Sequence, residues 1–189
     1  MTEHPTDPLI EETTARFNRG IVYVITGDGK GKTTAALGQA LRAVGHGRRV
    51  FMVQFMKGRK YGEVLAAERY LPGLVIRQCG LDSFVMRGRP APVDLELARQ
   101  GLALARKALT GGEFDLVILD EVNVALDFNL LPLDEVLALI ADRPAAVDLI
   151  LTGRYAPEPL LAAADTVSRI EEVKHHYAQG FKERAGMEF

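Results

Sequence analysis

Gly27-Asp28-Gly29-Lys30-Gly31-Lys32-Thr33-Thr34 decides the fold. The stretch follows the β-branched run Ile21-Val22-Tyr23-Val24-Ile25 and opens a segment of helical pattern, Lys32 to Val44. Strand, glycine-rich turn and helix in that order form the setting of a phosphate-binding loop. Glycines let successive backbone N–H groups converge on anionic oxygens, and the helix N-terminus adds partial positive charge. Lys32 is positioned to contact phosphates, Lys30 adds a second positive charge, and the Thr33 hydroxyl suits a magnesium ion. Thr26, not glycine, stands five places before Gly31, so the first glycine comes one position later than in the standard pattern.

Outward from this loop, strands and helices alternate. Val50–Phe55, Leu74–Gln78, Leu116–Leu119, Asp148–Leu151 and Thr166–Ile170 read as strands, mostly pure apolar runs of the kind buried on both faces. Tyr61–Tyr70, Val93–Thr110, Leu133–Ala141 and Pro157–Ala164 read as helices. Gly45 and Gly47 stop the first helix, and Gly111-Gly112 ends the long one. The pattern predicts an α/β fold, a mostly parallel sheet with helices on both faces. Residues 20–189 form one expected domain. Residues 1–19 are expected to be a flexible segment, and both this end and the tail from about Glu172 to Phe189 lie outside the sheet pattern, able to cover the site or reach a partner subunit.

Composition narrows the classes. With 189 residues, 48% hydrophobic and 25% charged, the chain can bury a full core. A net charge of -2 gives no bulk electrostatic case for nucleic acid. Cys79 is the only cysteine, so no intrachain disulfide forms, which fits a reducing compartment. The thiol reads as a buried small residue before it reads as a nucleophile. The polar N-terminus is unlike a signal peptide and no stretch suits a membrane span, so a cytoplasmic protein is expected.

Leu116-Val117-Ile118-Leu119 ends in Asp120-Glu121. A strand ending in carboxylates has the character of a Walker-B site, and either carboxylate is placed to face the magnesium at Thr33. Leu151-Thr152-Gly153-Arg154 ends another strand, and Arg154 suits a phosphate or a carboxylate, or a surface turn. Gln54 and Lys57 end the second strand in the same way. His46, between two glycines, reads as a cap or surface residue. His175-His176 reads as a surface pair with no metal-ligand spacing around it.

Together these segments resemble the P-loop type of corrinoid adenosyltransferase. The resemblance runs from Gly20 to Phe189. It rests on Thr26 to Ala36, Arg42-Ala43-Val44-Gly45-His46-Gly47, Val53-Gln54-Phe55-Met56-Lys57-Gly58, Leu119-Asp120-Glu121, Leu151-Thr152-Gly153-Arg154, Ala164 to Val167, Val173-Lys174-His175 and Gly186-Met187-Glu188-Phe189. The late first glycine is itself a trait of that family. The resemblance implies a P-loop NTPase, RecA-like architecture. It implies transfer of the 5′-deoxyadenosyl group of ATP to cobalt(I) of a corrinoid, with triphosphate as leaving group. Gly27, Asp28, Gly29, Lys30, Gly31, Lys32, Thr33 and Thr34 would hold phosphates. Thr33 and Glu121 would bind Mg2+ (or Mn2+), with Asp120 beside them. Arg42, His46 and Arg48 would stand near the nucleoside or its phosphates, with Gln54 and Arg154 also at the nucleotide. Phe84, with Leu81 and Met86, would wall off the cobalt and displace its lower axial ligand. A homodimer and an electron-donating reductase are the implied partners. The rivals are a P-loop kinase or ATPase and a non-catalytic nucleotide- or corrinoid-binding module.

Overall fold

The computed structural model describes residues 19–83 and 85–188. Phe84 and the expected N-terminal cover, except Arg19, lie outside them. Six strands form one parallel sheet: β1 (Val22–Thr26), β2 (Val50–Phe55), β3 (Leu74–Cys79), β4 (Leu116–Asp120), β5 (Asp148–Thr152) and β6 (Thr166–Arg169). Their spatial order is β3-β2-β4-β5-β1-β6, and every pair is parallel. The helices are α1 (Lys32–Gly45), α2 (Gly62–Tyr70), α3 (Pro92–Thr110), α4 (Val122–Asp127), α5 (Leu133–Ala141) and α6 (Glu158–Ala162), with a 3₁₀ turn at His176–Gln179. This is the doubly wound architecture that the alternation predicts. The insertion of β5 between β1 and β4 matches the RecA-like variant of P-loop folds.

The strands read as unbroken apolar runs because both faces are covered. Successive side chains point to opposite sides. Phe51, Val53, Phe55, Val117, Leu119, Leu149 and Leu151 pack with α3 to α6 on one face. Met52, Val50, Leu116, Ile118 and Ile150 pack with α1 and α2 on the other. Helix α1 approaches closely because Ala36, Ala40 and Ala43 form its buried stripe. Each large side chain so buried contributes roughly 1.5–3 kcal/mol.

Strand β1 begins one residue later than the apolar run suggests. Ile21 is exposed, and its N–H bonds the Asp148 carboxylate at 2.8 Å. Helix α4 escapes the sequence pattern. Glu121 sits in the left-handed region (φ 63°) and turns β4 directly into α4 with no glycine to mark the corner. Helix α1 ends in a Schellman arrangement. Gly47 (φ 74°) donates to the Val44 carbonyl at 2.9 Å and Arg48 N–H to the Ala43 carbonyl at 3.0 Å.

Cys79 is buried at the end of β3 beneath α3, where a Cβ on Gly101 would come within 3.1 Å of the cysteine Cβ. Burial pushes the Cys79 thiol above its ordinary range. Maleimide should therefore label the native protein about 100-fold more slowly than the denatured chain. Equal labelling rates would show that the thiol is accessible.

Candidate active site at the carboxyl ends of the strands

Because all strands are parallel, their carboxyl ends meet at one rim of the sheet, where open α/β folds bind ligands. A cavity of about 1100 Å³ opens there. Gly29 to Thr34 line one wall, with Lys57, Glu63, Glu121 and Arg154 around them.

Gly27 shapes the loop from below. Its φ is 100°, and a Cβ would fall 2.3 Å from the Ile170 carbonyl oxygen. The loop therefore passes against the end of β6, and Gly29 N–H donates to that same carbonyl at 2.9 Å. Gly31 (φ 117°) is the left-handed residue that opens α1. Asp28 is exposed, and its carbonyl accepts from the Arg154 guanidinium at 2.9 Å. That bond ties the end of β5 to the loop.

Lys32 is 7% exposed, and its ammonium donates to the Gly29 carbonyl at 2.6 Å. Burial holds this lysine below its ordinary pKa. Glu121, Asp28 and Asp120 work against that shift, and Arg154 adds to it. An ammonium held this way suits an anionic ligand that would restore its missing solvation.

The two carboxylates of β4 part company. Asp120 is fully buried under the cavity floor. It accepts from Thr33 Oγ1 at 2.8 Å, Thr152 Oγ1 at 2.7 Å, Lys57 Nζ at 2.8 Å and Gln54 Nε2 at 3.3 Å. Glu121 lines the cavity itself. Burial pushes its carboxyl above the usual carboxylate range. The neighbouring Asp120 charge adds to this, while Lys57, Lys32 and Arg154 oppose it. The Thr152 hydroxyl also accepts the Glu121 N–H at 3.0 Å, which secures the strained corner.

Lys57 is the counter-charge. Burial alone would lower its pKa, but the charge and hydrogen bond of Asp120, with Glu121 and Glu63, outweigh burial and raise it. Its ammonium lies 3.9 Å from Glu63 and 5.2 Å from the centre of the Tyr61 ring.

The structure thus brings together Gly29, Lys30, Gly31, Lys32, Thr33, Thr34, Glu121 and Arg154 on one cavity, with Asp120 directly beneath. Gln54 stands behind the site. Its amide donates to Glu63 at 2.8 Å, and its oxygen accepts from Gln78 at 3.1 Å. Arg42, His46 and Arg48 are not brought to this cavity within the chain. They lie at the far end of α1, roughly 20 Å along a helix of that length, and line a separate cavity of about 370 Å³. Arg48 is engaged with Asp148 at 2.7 Å and the Asp115 carbonyl at 3.0 Å. Their placement follows from helix geometry, since the loop begins α1 and these residues end it.

Sequence reasoning gave no role to Thr152, Glu63 or Tyr61, whereas the C-terminal wall of Glu172, His175, His176, Tyr177 and Met187 falls in the segment expected to cover the site or reach a partner. Thr152 stood in a quoted strand-end motif. Its position one register step from Arg154 was the available signal.

The family model described as "ATP:corrinoid adenosyltransferase BtuR/CobO/CobP" matches residues 18–189. A corrinoid adenosyltransferase of Pseudomonas aeruginosa is 38% identical over 175 residues, covering 93% of this chain and 86% of that one. A corrinoid adenosyltransferase of Escherichia coli (strain K12) is 39% identical over 176 residues, covering 93% and 88%. Among solved structures, a RadB recombinase overlays with a TM-score of 0.48 at 16% identity, covering 83% of this chain and 77% of that one. On the family match and these identities, the chain belongs to the ATP:corrinoid adenosyltransferase BtuR/CobO/CobP family.

Proposed function

We propose that the protein transfers the 5′-deoxyadenosyl group of ATP to the cobalt of a reduced corrinoid and releases triphosphate. The supporting observation is a phosphate loop and a carboxylate pair on one cavity, in a chain of this family. In the proposed step, cobalt(I) supplies an electron pair to carbon 5′. A cobalt–carbon bond forms, the C5′–O bond breaks, and the bonding electrons leave with the triphosphate oxygen.

The protein's part is to receive that charge. The loop, Lys32 and Arg154 line the cavity that a leaving triphosphate would fill, and their donors would receive its charge. Preorganised donors of this kind act most strongly where water is excluded. No proton has to be removed from a nucleophile, so the reading assigns no general base.

The donor set suits magnesium. Thr33 and Glu121 offer a hydroxyl and a carboxylate, hard oxygen ligands. Burial first, and the neighbouring Asp120 charge second, raise the pKa of Glu121, and a divalent cation would favour its ionised form. Among the described residues, no cluster of three or more His, Cys, Asp and Glu forms a ready-made cage. Phosphate oxygens of the substrate would therefore complete the shell. When bound, magnesium, or manganese in its place, would neutralise charge on the departing triphosphate. Asp120 would orient the Thr33 hydroxyl from below.

Leu81, exposed against Gly58, and the exposed Met86 are proposed, together with Phe84, as the corrinoid wall. Because the corrinoid must arrive as cobalt(I), an electron-donating reductase is part of the proposal, as are a homodimer and a cytoplasmic setting. The unpaired Cys79 supports a reducing compartment. Among the described residues, no helix is long and apolar enough to cross a membrane.

Glu121 directly after Asp120 also suits a water-activating base, which favours phosphoanhydride hydrolysis as the second reading. Product analysis separates the two. Incubation with ATP, magnesium and a chemically reduced corrinoid should yield a cobalt–carbon bond by absorbance and intact triphosphate by ion chromatography. ADP and phosphate, with no alkylated corrinoid, would establish the hydrolase instead.

A further inference from the structure

Lys30 stands inside the phosphate loop, yet its ammonium is engaged by the C-terminal tail. It donates to the Met187 carbonyl at 2.8 Å and lies 4.0 Å from the Glu188 carboxylate. The chain beyond β6 has returned over the cavity to reach it. Glu188 is itself held from three sides. One oxygen lies 3.1 Å from His176 Nε2, the other accepts the Arg184 N–H at 2.8 Å, and Lys30 completes the group. Only 12% of its side chain is exposed. His176 stacks on His175 with ring centres 4.6 Å apart, and Phe181 meets His176 edge-on. Further along, Glu183 reaches Arg59 at 3.3 Å. His175, His176, Tyr177, Met187 and Glu188 form the wall that faces the phosphate loop across the cavity.

We propose that Lys30 is a positioning residue: it fastens the C-terminal tail, through Met187 and Glu188, as the outer wall of the nucleotide cavity, and it does not hold phosphate. An ammonium has three donors in one small cluster. Here one of them reaches a tail carbonyl, and the charge lies 4.0 Å from a buried tail carboxylate oxygen that accepts no hydrogen bond. The loop N–H groups and the buried Lys32 already face the triphosphate end. The wall that Lys30 secures carries planar rings and an apolar thioether. Such surfaces suit the nucleoside end of the nucleotide that the proposed function requires, and the inference rests on that reading for its choice of ligand. Contacts between partly exposed charges are individually weak, so the wall can open to admit substrate and close behind it.

The test uses the full chain with Lys30→Met, Lys30→Arg and Glu188→Gln. Hydrogen exchange of residues 183–188 is followed alongside equilibrium binding of ATP and of inorganic triphosphate. Lys30→Met and Glu188→Gln should each speed exchange of that segment about tenfold and weaken ATP about tenfold. Inorganic triphosphate should bind within about twofold of the parent, because it does not reach the wall. The Lys30→Met/Glu188→Gln double variant should be no worse than either single one, since both break the same clasp. Lys30→Arg, which keeps donors for both tail groups, should restore slow exchange. If Lys30→Met weakens inorganic triphosphate as much as ATP and leaves exchange unchanged, Lys30 is a phosphate ligand and the proposal fails. Neither readout requires corrinoid, so failure here is distinct from failure of the adenosyltransferase assay.

Discussion

Lys32→Met is expected to lower kcat/KM for ATP by about 10²- to 10³-fold while the melting temperature holds steady or rises slightly. The two halves of that result have one cause. The ammonium is buried at the N-terminus of α1 and accepts no compensation beyond a loop carbonyl and carboxylates farther off. Its pKa is lowered in the fold, so between that value and the ordinary one near 10.5 the unfolded chain binds more protons. Stability rises with pH through that window. At pH below that window the charge works against the fold. Methionine keeps the stem's packing and removes the cost. Steady-state kinetics and thermal melts at pH 7 would check this. A fall in melting temperature of several degrees, or an unchanged kcat/KM, would refute the assignment of Lys32 as a binding group held at the expense of stability.

Asp120→Ala should do the opposite, abolishing activity and destabilising the fold by about 3–5 kcal/mol, the usual cost of stranding a buried charge. For a chain of this size that is roughly 10 °C in melting temperature. Four donors converge on this carboxylate, and one of them is the Lys57 ammonium, whose side chain is 16% exposed. Without Asp120, Lys57 retains Glu63 at 3.9 Å, the Thr33 hydroxyl at 3.5 Å and the face of Tyr61, none of which replaces the lost carboxylate contact. The pH dependence follows from the same pair. Lys57 has a raised folded pKa, so its stabilising contribution is complete below the unfolded value near 10.5 and is lost as pH rises through the folded one. The deficit of the variant should therefore be flat across neutral pH and shrink only in strong alkali. Urea titrations at pH 7 and pH 9 would measure it. A deficit under about 1 kcal/mol would mean that the network relaxes around the gap.

The sheet was legible because its strands are covered on both sides, so burial wrote itself into unbroken runs such as Val50 to Phe55. The loop was legible because only glycine tolerates the contact of Gly27 with Ile170 and the left-handed turn at Gly31. What stayed hidden was whatever depends on side chains meeting across distant segments. Thr152 looks like any strand threonine until β5 is seen beside β4. The corner at Glu121 carries no turn residue, so α4 left no mark. Arg42, His46 and Arg48, named on the resemblance, line a different cavity because the length of α1 carries them away from the loop. The tail was legible as a segment able to cover the site, but not its fastening, because Lys30 lies 157 residues away from Met187.

The junction under the cavity floor bears on how the chain reaches its native state. Groups from positions 33, 54, 57 and 152, which follow or end β1, β2 and β5, meet at position 120 at the end of β4. No such junction exists until β1, β5, β4 and β2 are all in register, and closing contacts of that sequence separation is slow. The nucleotide pocket is then among the last features to assemble, and partly folded forms offer the ligand nothing to hold. ATP at 100 times its dissociation constant would add about 2.7 kcal/mol to the native state alone. It would do so by slowing unfolding, with little effect on the rate of folding.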